Sequence, residues 1–349
     1  MTLTSTPQQT TVVESALNEA RKRIQVTQDE LDEARRRRSL LAECLKREFG
    51  GRSYYNGSVA HGDALDPLTD VDLGIVIPDP DGQFGPGREG PARFQDRAAR
   101  AIRRDLGAEF PRLRVEHLKR RRSVLVKFGD PVTAGQDDFT ADVITAIDND
   151  REQGLLIPNY DAWDPSDPVA HTDLITAANA SSRATFARGV RLMKHWNRRH
   201  DHPVCSWNIK ALALDWIDGP VSMTAFVERW LVHAIAELAI RDTPDPAGVA
   251  APIETNWPRN QVVAEFAQAR QLFARALEHE REGYPILALD ALATFFADED
   301  MMPAPDRDEV HRVTAERFAA KQRGGSASRA ASSTTPIADR IHTRSWAFR

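Results

Sequence analysis

Residues 70–77 read Asp-Val-Asp-Leu-Gly-Ile-Val-Ile, a short β-branched apolar run that opens on two carboxylates. Such a run fits a strand. Side chains at i and i+2 of a strand share a face, so Asp70 and Asp72 project together, roughly 6.5 Å apart by strand rise. Two carboxylates held that close repel one another, and a divalent cation removes the repulsion. A second strand, Phe-Thr-Ala-Asp-Val-Ile-Thr-Ala-Ile over 139–147, carries Asp142 in its middle. A charge inside an apolar strand is costly unless paired or metal-bound. A neighbouring strand lies about 4.8 Å away, so Asp142 can reach the same ions. Three carboxylates suit two Mg²⁺ ions about 3.5–4 Å apart, with Mn²⁺ as a substitute, the arrangement that clamps the attacking and leaving oxygens of a phosphoryl transfer.

Gly57-Ser58 lies upstream and reads as a turn opening a helix. Backbone N–H groups and a hydroxyl there can meet a triphosphate. A plain serine cap explains the same residues. Neither Gly-Ser nor Asp-x-Asp is specific alone; their order and spacing together are.

The rest of the chain divides around this stretch. The first fifty residues read as helix, with a capping box at Thr27 and Glu30 and a stop at Gly50-Gly51. Pro78 to Pro91 reads as a mobile loop, 92–107 as an amphipathic helix and 124–128 as a strand. From about 170 the pattern is helical, over 170–199, 206–217, 221–240, 259–282, 285–297 and 307–322. Residues 242–258 form a Pro-rich connection, and from Arg323 onward the composition is that of a flexible linker. The expected fold class is α+β: bracing helices over 1–51, a mixed-sheet core with helices over 52–165, a helical lobe over 166–322 and a flexible tail over 323–349.

The net charge of −5 excludes a generally basic nucleic-acid binder. No run of eighteen apolar residues occurs and the polar start lacks an apolar segment, so neither a membrane span nor a secretory signal is expected. Two cysteines, Cys44 and Cys205, lie in helical patterns without metal-ligand spacing, which fits packed thiols and a cytoplasmic setting. No P-loop, dinucleotide or serine-hydrolase motif is present. Arg35–Arg38, Lys119–Arg122 and Arg198-Arg199-His200 could attract phosphates or could be solvated faces. His61 reads as a surface loop residue.

Gly57-Ser58, Asp70-Val71-Asp72 and Asp142 together resemble the DNA polymerase β-type nucleotidyltransferase superfamily. Residues 155–180 and 190–214 narrow the resemblance to the bacterial CD-NTases, relatives of cyclic GMP-AMP synthase and the oligoadenylate synthetases. The carrying motif is Leu192-Met193-Lys194-His195-Trp196-Asn197 followed by Ser206-Trp207. The resemblance implies a bilobal polymerase β-like core with a helical lobe. Asp70, Asp72 and Asp142 would hold metal, and Gly57, Ser58, Lys194 and Ser206 would meet the phosphates of a nucleoside triphosphate. Trp207 would stack on a base. Packing roles for Lys194, Ser206 and Trp207 stay open on the residues alone. The implied activity is synthesis of a cyclic oligonucleotide second messenger with pyrophosphate release, in antiphage defence, by a monomeric catalytic unit. Nucleotidyl transfer to an RNA end, a protein or a small molecule is the alternative, and an inactive nucleotide-binding scaffold the rival. A regulatory protein or nucleic acid as activator stays open. Two departures from the pattern stand out: Lys210 where many members carry an acidic residue, and a Phe348-Arg349 end where some carry a small residue for conjugation.

Overall fold

The computed structural model describes residues 10–330, apart from 80, 89 and 134. The expected N-terminal helix is two helices, α1 (Val12–Arg23) and α2 (Gln28–Phe49). The capping box starts the second: the Thr27 side chain accepts from the Glu30 N–H and the Glu30 carboxylate accepts from the Thr27 N–H. Gly50, left-handed at φ 68°, ends it. The two helices serve different cores. Val13, Leu17 and Ala20 of α1 pack among the C-terminal helices, while Ala34, Leu41, Cys44 and Leu45 of α2 pack on the sheet.

Among the described residues the sheet holds seven strands: β1 (Arg52–Asn56), β2 (Asp70–Val76), β3 (Arg114–Glu116), β4 (Val124–Lys127), β5 (Thr140–Asp148), β6 (Leu155–Asn159) and β7 (Ala162–Ser166). Their order is β1-β2-β5-β4-β3, with β6 joined to the end of β5 and β7 to β6. The central pair β2 and β5 is parallel, and the other pairings are antiparallel. A parallel pair needs a crossover, and α4 (Pro91–Leu106) lies within it. Period-two alternation then sorts the side chains. Val71, Leu73 and Ile75 of β2 and Ala141 and Val143 of β5 face a core that includes Phe94, Ala98 and Ile102 of α4. Asp70, Asp72 and Asp142 take the opposite face. Strands β1, β3, β6 and β7 are too short or too polar to stand out in the sequence.

Two connections differ from expectation. The Pro78–Pro91 loop is anchored: the Phe84 ring packs at a tilt against Phe94, 4.4 Å between centres, and the Phe84 carbonyl accepts from Trp163 Nε1 at 2.7 Å. The tail expected from Arg323 is helical in its first part, because α11 (Arg307–Ala330) runs through it; the remainder, 331–349, lies outside the described residues.

The C-terminal half packs α5 (Pro168–Ser181), α6 (Thr185–Arg199), α7 (Ser206–Leu214), α8 (Met223–Ile240), α9 (Arg259–Arg281) and α10 (Pro285–Phe296) around one core. The single helix expected over 170–199 is broken. Arg183 and Ala184 are both left-handed, at φ 53° and 63°, at a cost of roughly 1–2 kcal/mol each. Full burial of Phe186 offsets about as much. Ser182 Oγ and Asn179 Oδ1 also accept the N–H groups of Phe186 and Ala187. Tertiary packing therefore overrides a helical pattern that contains neither Gly nor Pro at the break.

Candidate active site

The sheet's acidic face and the helical lobe enclose a cleft of about 730 Å³. Its walls include Gly57 and Asp72 from the sheet side and His171, Ser206, Trp207 and Lys210 from the helices. Ligand sites favour such junctions between structural units.

The floor is built by register. Asp72 pairs directly with Asp142 across the parallel β2–β5 ladder, and Asp70 stands two residues away on the same face of β2. The short helix α3 (Gly57–His61) begins above Asp72. A Cβ placed on Gly57 would sit 1.7 Å from Asp72 Oδ2, and Gly57 has φ +73°. Glycine is thus required here twice over, once for the backbone and once for the space the carboxylate occupies. Ser58 follows in the same turn, where its carbonyl accepts from the Asp63 N–H at 3.1 Å.

The three carboxylates differ in their partners. Asp142 Oδ1 accepts from Ser123 Oγ at 2.6 Å and from Arg120 Nη2 at 3.0 Å. Asp72 is pushed up to about 7 by loss of water, reinforced by the charges of Asp70 and Asp142. Of the three carboxylates Asp72 lines the cleft; Asp70, two residues away, is exposed, yet burial by the surrounding protein raises it as well, and the nearby Lys194 charge opposes that rise. Charged carboxylates at this face are therefore under-compensated. A cation would relieve them, and an all-carboxylate donor set suits a hard divalent ion such as Mg²⁺. Among the described residues no three acidic, His or Cys side chains converge closely enough to hold an ion as they stand. Asp142, drawn to Arg120 and Ser123, would have to turn for the set to close. What speaks for the fit is chemical: three carboxylates stand on one face of neighbouring strands, the donor type a hard divalent ion takes.

The opposite wall is compensated throughout. Asp63, fully buried, forms ion pairs with Lys194 Nζ at 2.8 Å and Lys210 Nζ at 3.0 Å. Burial pushes its carboxyl up, but the two ammonium groups outweigh burial and hold it at about 2. Lys210 Nζ also donates to His61 Nδ1 at 2.9 Å. A lysine ammonium only donates, so the His61 proton lies on Nε2, which reaches Thr172 Oγ1 at 3.2 Å. Burial first, then the Lys210 charge, lowers His61 to about 3 and keeps it neutral. The expectation of a surface-loop histidine is therefore wrong. The side chain is buried in α3 and lines the cleft. Sequence reasoning missed Asp63, Lys210 and His61 as a unit. Its only trace in the sequence is Lys210 itself, one helical turn after Ser206.

Of the residues expected to meet nucleotide, Gly57, Ser206 and Trp207 line the cleft, Ser206 exposed and Trp207 half-buried. Trp207 also packs against the helical core and tilts over His171, 4.5 Å between ring centres. Asp245 fixes that histidine, its Oδ1 2.5 Å from His171 Nε2, while its Oδ2 accepts the N–H groups of Val249 and Ala250. Lys194 is not free to the cleft: it donates to both the carboxylate and the carbonyl of Asp63. Cys205 caps α7 and lines the cleft, whereas Cys44 is buried and pushed up to about 12, burial being the main cause. The Arg35–Arg38 run is spent within the fold. Arg35, Arg36 and Arg37 pair with Asp32, Glu33, Glu109 and Asp130, and Arg38 stacks 3.9 Å over the Tyr55 ring.

No family model and no curated protein matches the sequence. Solved structures do. The CD-NTase CdnG of Bradyrhizobium diazoefficiens, in complex with GTP, superposes with a TM-score of 0.63 at 14% identity, over 83% of this chain and 97% of that one. CdnC of E. coli MS115-1 with ATP gives 0.61 at 16%, over 82% and 98%. The cyclic AMP-GMP synthase DncV of Vibrio cholerae, bound to the linear intermediate pppA(3′,5′)pG, gives 0.53 at 12%, over 82% and 86%. The chain has the CD-NTase fold, the polymerase β-like nucleotidyltransferase architecture with its helical lobe. At these identities the likeness is one of fold, and it agrees with the family that the sequence motifs resemble.

Proposed function

We propose that the chain is a CD-NTase, a divalent-metal-dependent nucleotidyltransferase. It joins nucleoside triphosphates through a ribose hydroxyl, releases pyrophosphate and closes the product into a cyclic oligonucleotide. The observation that carries this reading is the Asp72–Asp142 register pair with Asp70 beside it, under-compensated where Asp72 borders the cleft. The neighbours lend support through what they hold: ATP in CdnC, GTP in CdnG and a linear dinucleotide intermediate in DncV.

Asp70, Asp72 and Asp142 hold the cations, two Mg²⁺ ions or Mn²⁺ in their place. When bound, these ions supply an activated hydroxyl and stabilise the departing pyrophosphate. Gly57 keeps the space that lets Asp72 lie against α3. Gly57 and Ser58 border the donor's phosphates, and Ser206 donates to them from the start of α7. Lys194 acts from behind, through its charge and its grip on Asp63. Trp207, tilted by His171, offers a base-stacking face worth about 1–3 kcal/mol.

The setting we infer is bacterial antiphage defence in the cytoplasm, with a monomeric catalytic unit. Among the described residues no helix is long and apolar enough to cross a membrane. CdnC has been captured with a HORMA protein, which supports a regulatory protein as activator here. Incubation with labelled nucleoside triphosphates and no acceptor tests the reading. A phosphatase-resistant product is expected. Labelling that appears only when RNA or protein is added would replace cyclisation with transfer to an acceptor.

A further inference from the structure

One of the three floor carboxylates already has a cation on it. Arg120 lies in the turn between β3 and β4, entered through Lys119 at φ 61°. Its Nη2 donates to Asp142 Oδ1 at 3.0 Å, the oxygen that Ser123 Oγ also meets at 2.6 Å. Among the described residues Asp70 and Asp72 make no such ion pair, whereas Asp142 does. The guanidinium is held by one edge only. Its Nε is buried and makes no hydrogen bond among the described residues, and its second contact is a 3.4 Å approach to Ser123 Oγ. A guanidinium binds most strongly as a two-pronged fork to a carboxylate or phosphate. The single-edged grip on Asp142 is therefore weaker than a phosphate with two free oxygens would offer. The neighbours set the direction of such a move. Arg121 and Arg122 line the cleft, anchored to Asn159 Oδ1 at 3.0 Å and Asp164 Oδ2 at 3.3 Å. The turn thus points into the space a nucleotide would fill.

We propose that Arg120 is the resting counter-ion of Asp142. It competes with a divalent cation for that carboxylate until nucleotide phosphates draw the guanidinium away. This rests on the reading of Asp70, Asp72 and Asp142 as metal ligands. Metal and nucleotide binding then become linked: phosphate frees Asp142, and a metal on Asp142 frees Arg120 for phosphate. Arg120 is a positioning residue in this scheme, so its test reads metal binding and not turnover.

The experiment titrates the full chain with Mn²⁺ alone, followed by electron paramagnetic resonance, and repeats the titration with the non-reacting α,β-methylene analogue of ATP. Arg120→Gln removes the charge and keeps the length. Without nucleotide it is expected to bind Mn²⁺ about fivefold or more tightly than the unaltered chain. It should also gain less from the analogue. Ser123→Ala loosens the same carboxylate oxygen without changing charge, and should stay within about twofold. Arg120→Gln with unchanged or weaker Mn²⁺ affinity overturns the proposal. So does a gain that survives adding Asp142→Asn, since the competition would then lie elsewhere. Asp70→Asn with Asp72→Asn separates the two levels. If that double variant binds Mn²⁺ as well as the unaltered chain, the metal-site reading itself fails. If it loses Mn²⁺ while Arg120→Gln shows no gain, the site stands and only the role of Arg120 falls.

Discussion

Two clusters of charge, each with residues on the cleft, are built on opposite terms. The helical wall balances its charges internally: Asp63 lies between Lys194 and Lys210, and His61 stays neutral beside them. The sheet floor does not. Asp72 is held near 7 by burial and by its acidic neighbours, and among the described residues Asp142 alone of the three has an ion-pair partner. A buried charge that is paired and hydrogen-bonded belongs to the fold, whereas a clustered charge left unpaired is held for something that arrives. The difference separates which charged residues are machinery and which are frame. Lys194, expected to meet phosphate, is here paired with Asp63 in the frame.

Removing the floor should affect chemistry far more than stability. Asp70→Asn with Asp72→Asn is expected to cut pyrophosphate release by about 10³-fold or more, the equivalent of losing several kcal/mol of metal-assisted stabilisation. The melting temperature should hold or rise, because a repulsive pair has been neutralised. Removing the frame should do the reverse. Asp63→Asn leaves Lys210 buried without its partner, and a loss of about 3–5 kcal/mol in unfolding free energy is expected by denaturant titration. A stable Asp63→Asn protein would break the comparison. Trp207→Ala should raise KM for nucleotide by about tenfold with kcat nearly unchanged, since stacking is lost equally in ground and transition states.

The two clusters also answer acid with opposite signs. His61 is lowered in the fold to about 3, against about 6.5 unfolded. Its contribution to stability is complete above pH about 6.5 and is lost as pH falls toward 3. Asp63 adds to the same trend below pH about 4, as its folded value is about 2. Asp72 is raised to about 7. Its contribution is complete below pH about 4 and is lost as pH rises through 7. In metal-free buffer between pH 7 and 5, His61→Gln should therefore flatten the acid-side fall in melting temperature. Asp72→Asn should steepen it, each by a few degrees. Equal slopes in both variants would remove the distinction between the clusters.

Legibility in the sequence followed the same division. The floor was readable because strands alternate with period two. Asp70, Asp72 and Asp142 are carboxylates in apolar strands, and that mismatch survives without any structure. Gly57 was readable as a turn, though not as the space for the Asp72 carboxylate. The wall was not readable. Asp63 sits among loop residues, Lys194 and Lys210 look like ordinary helix lysines, and nothing local says that they meet at one buried point. The break at Arg183–Ala184 was hidden for a similar reason, since a tertiary contact and not a Gly or Pro sets it. Strands β6 and β7 supply cleft residues such as Ile157 and Asp164. They are five residues each and interrupted by Pro158 and Pro165, so pattern alone passed over them.

The central claim is that the under-compensated floor joins nucleotides. Its most direct measurement is the mass of the product formed from a mixture of the four nucleoside triphosphates with Mg²⁺ or Mn²⁺, for the unaltered chain and for Asp70→Asn with Asp72→Asn. The account predicts a phosphatase-resistant cyclic oligonucleotide and released pyrophosphate from the former, and neither from the latter. The same product from both proteins would contradict it.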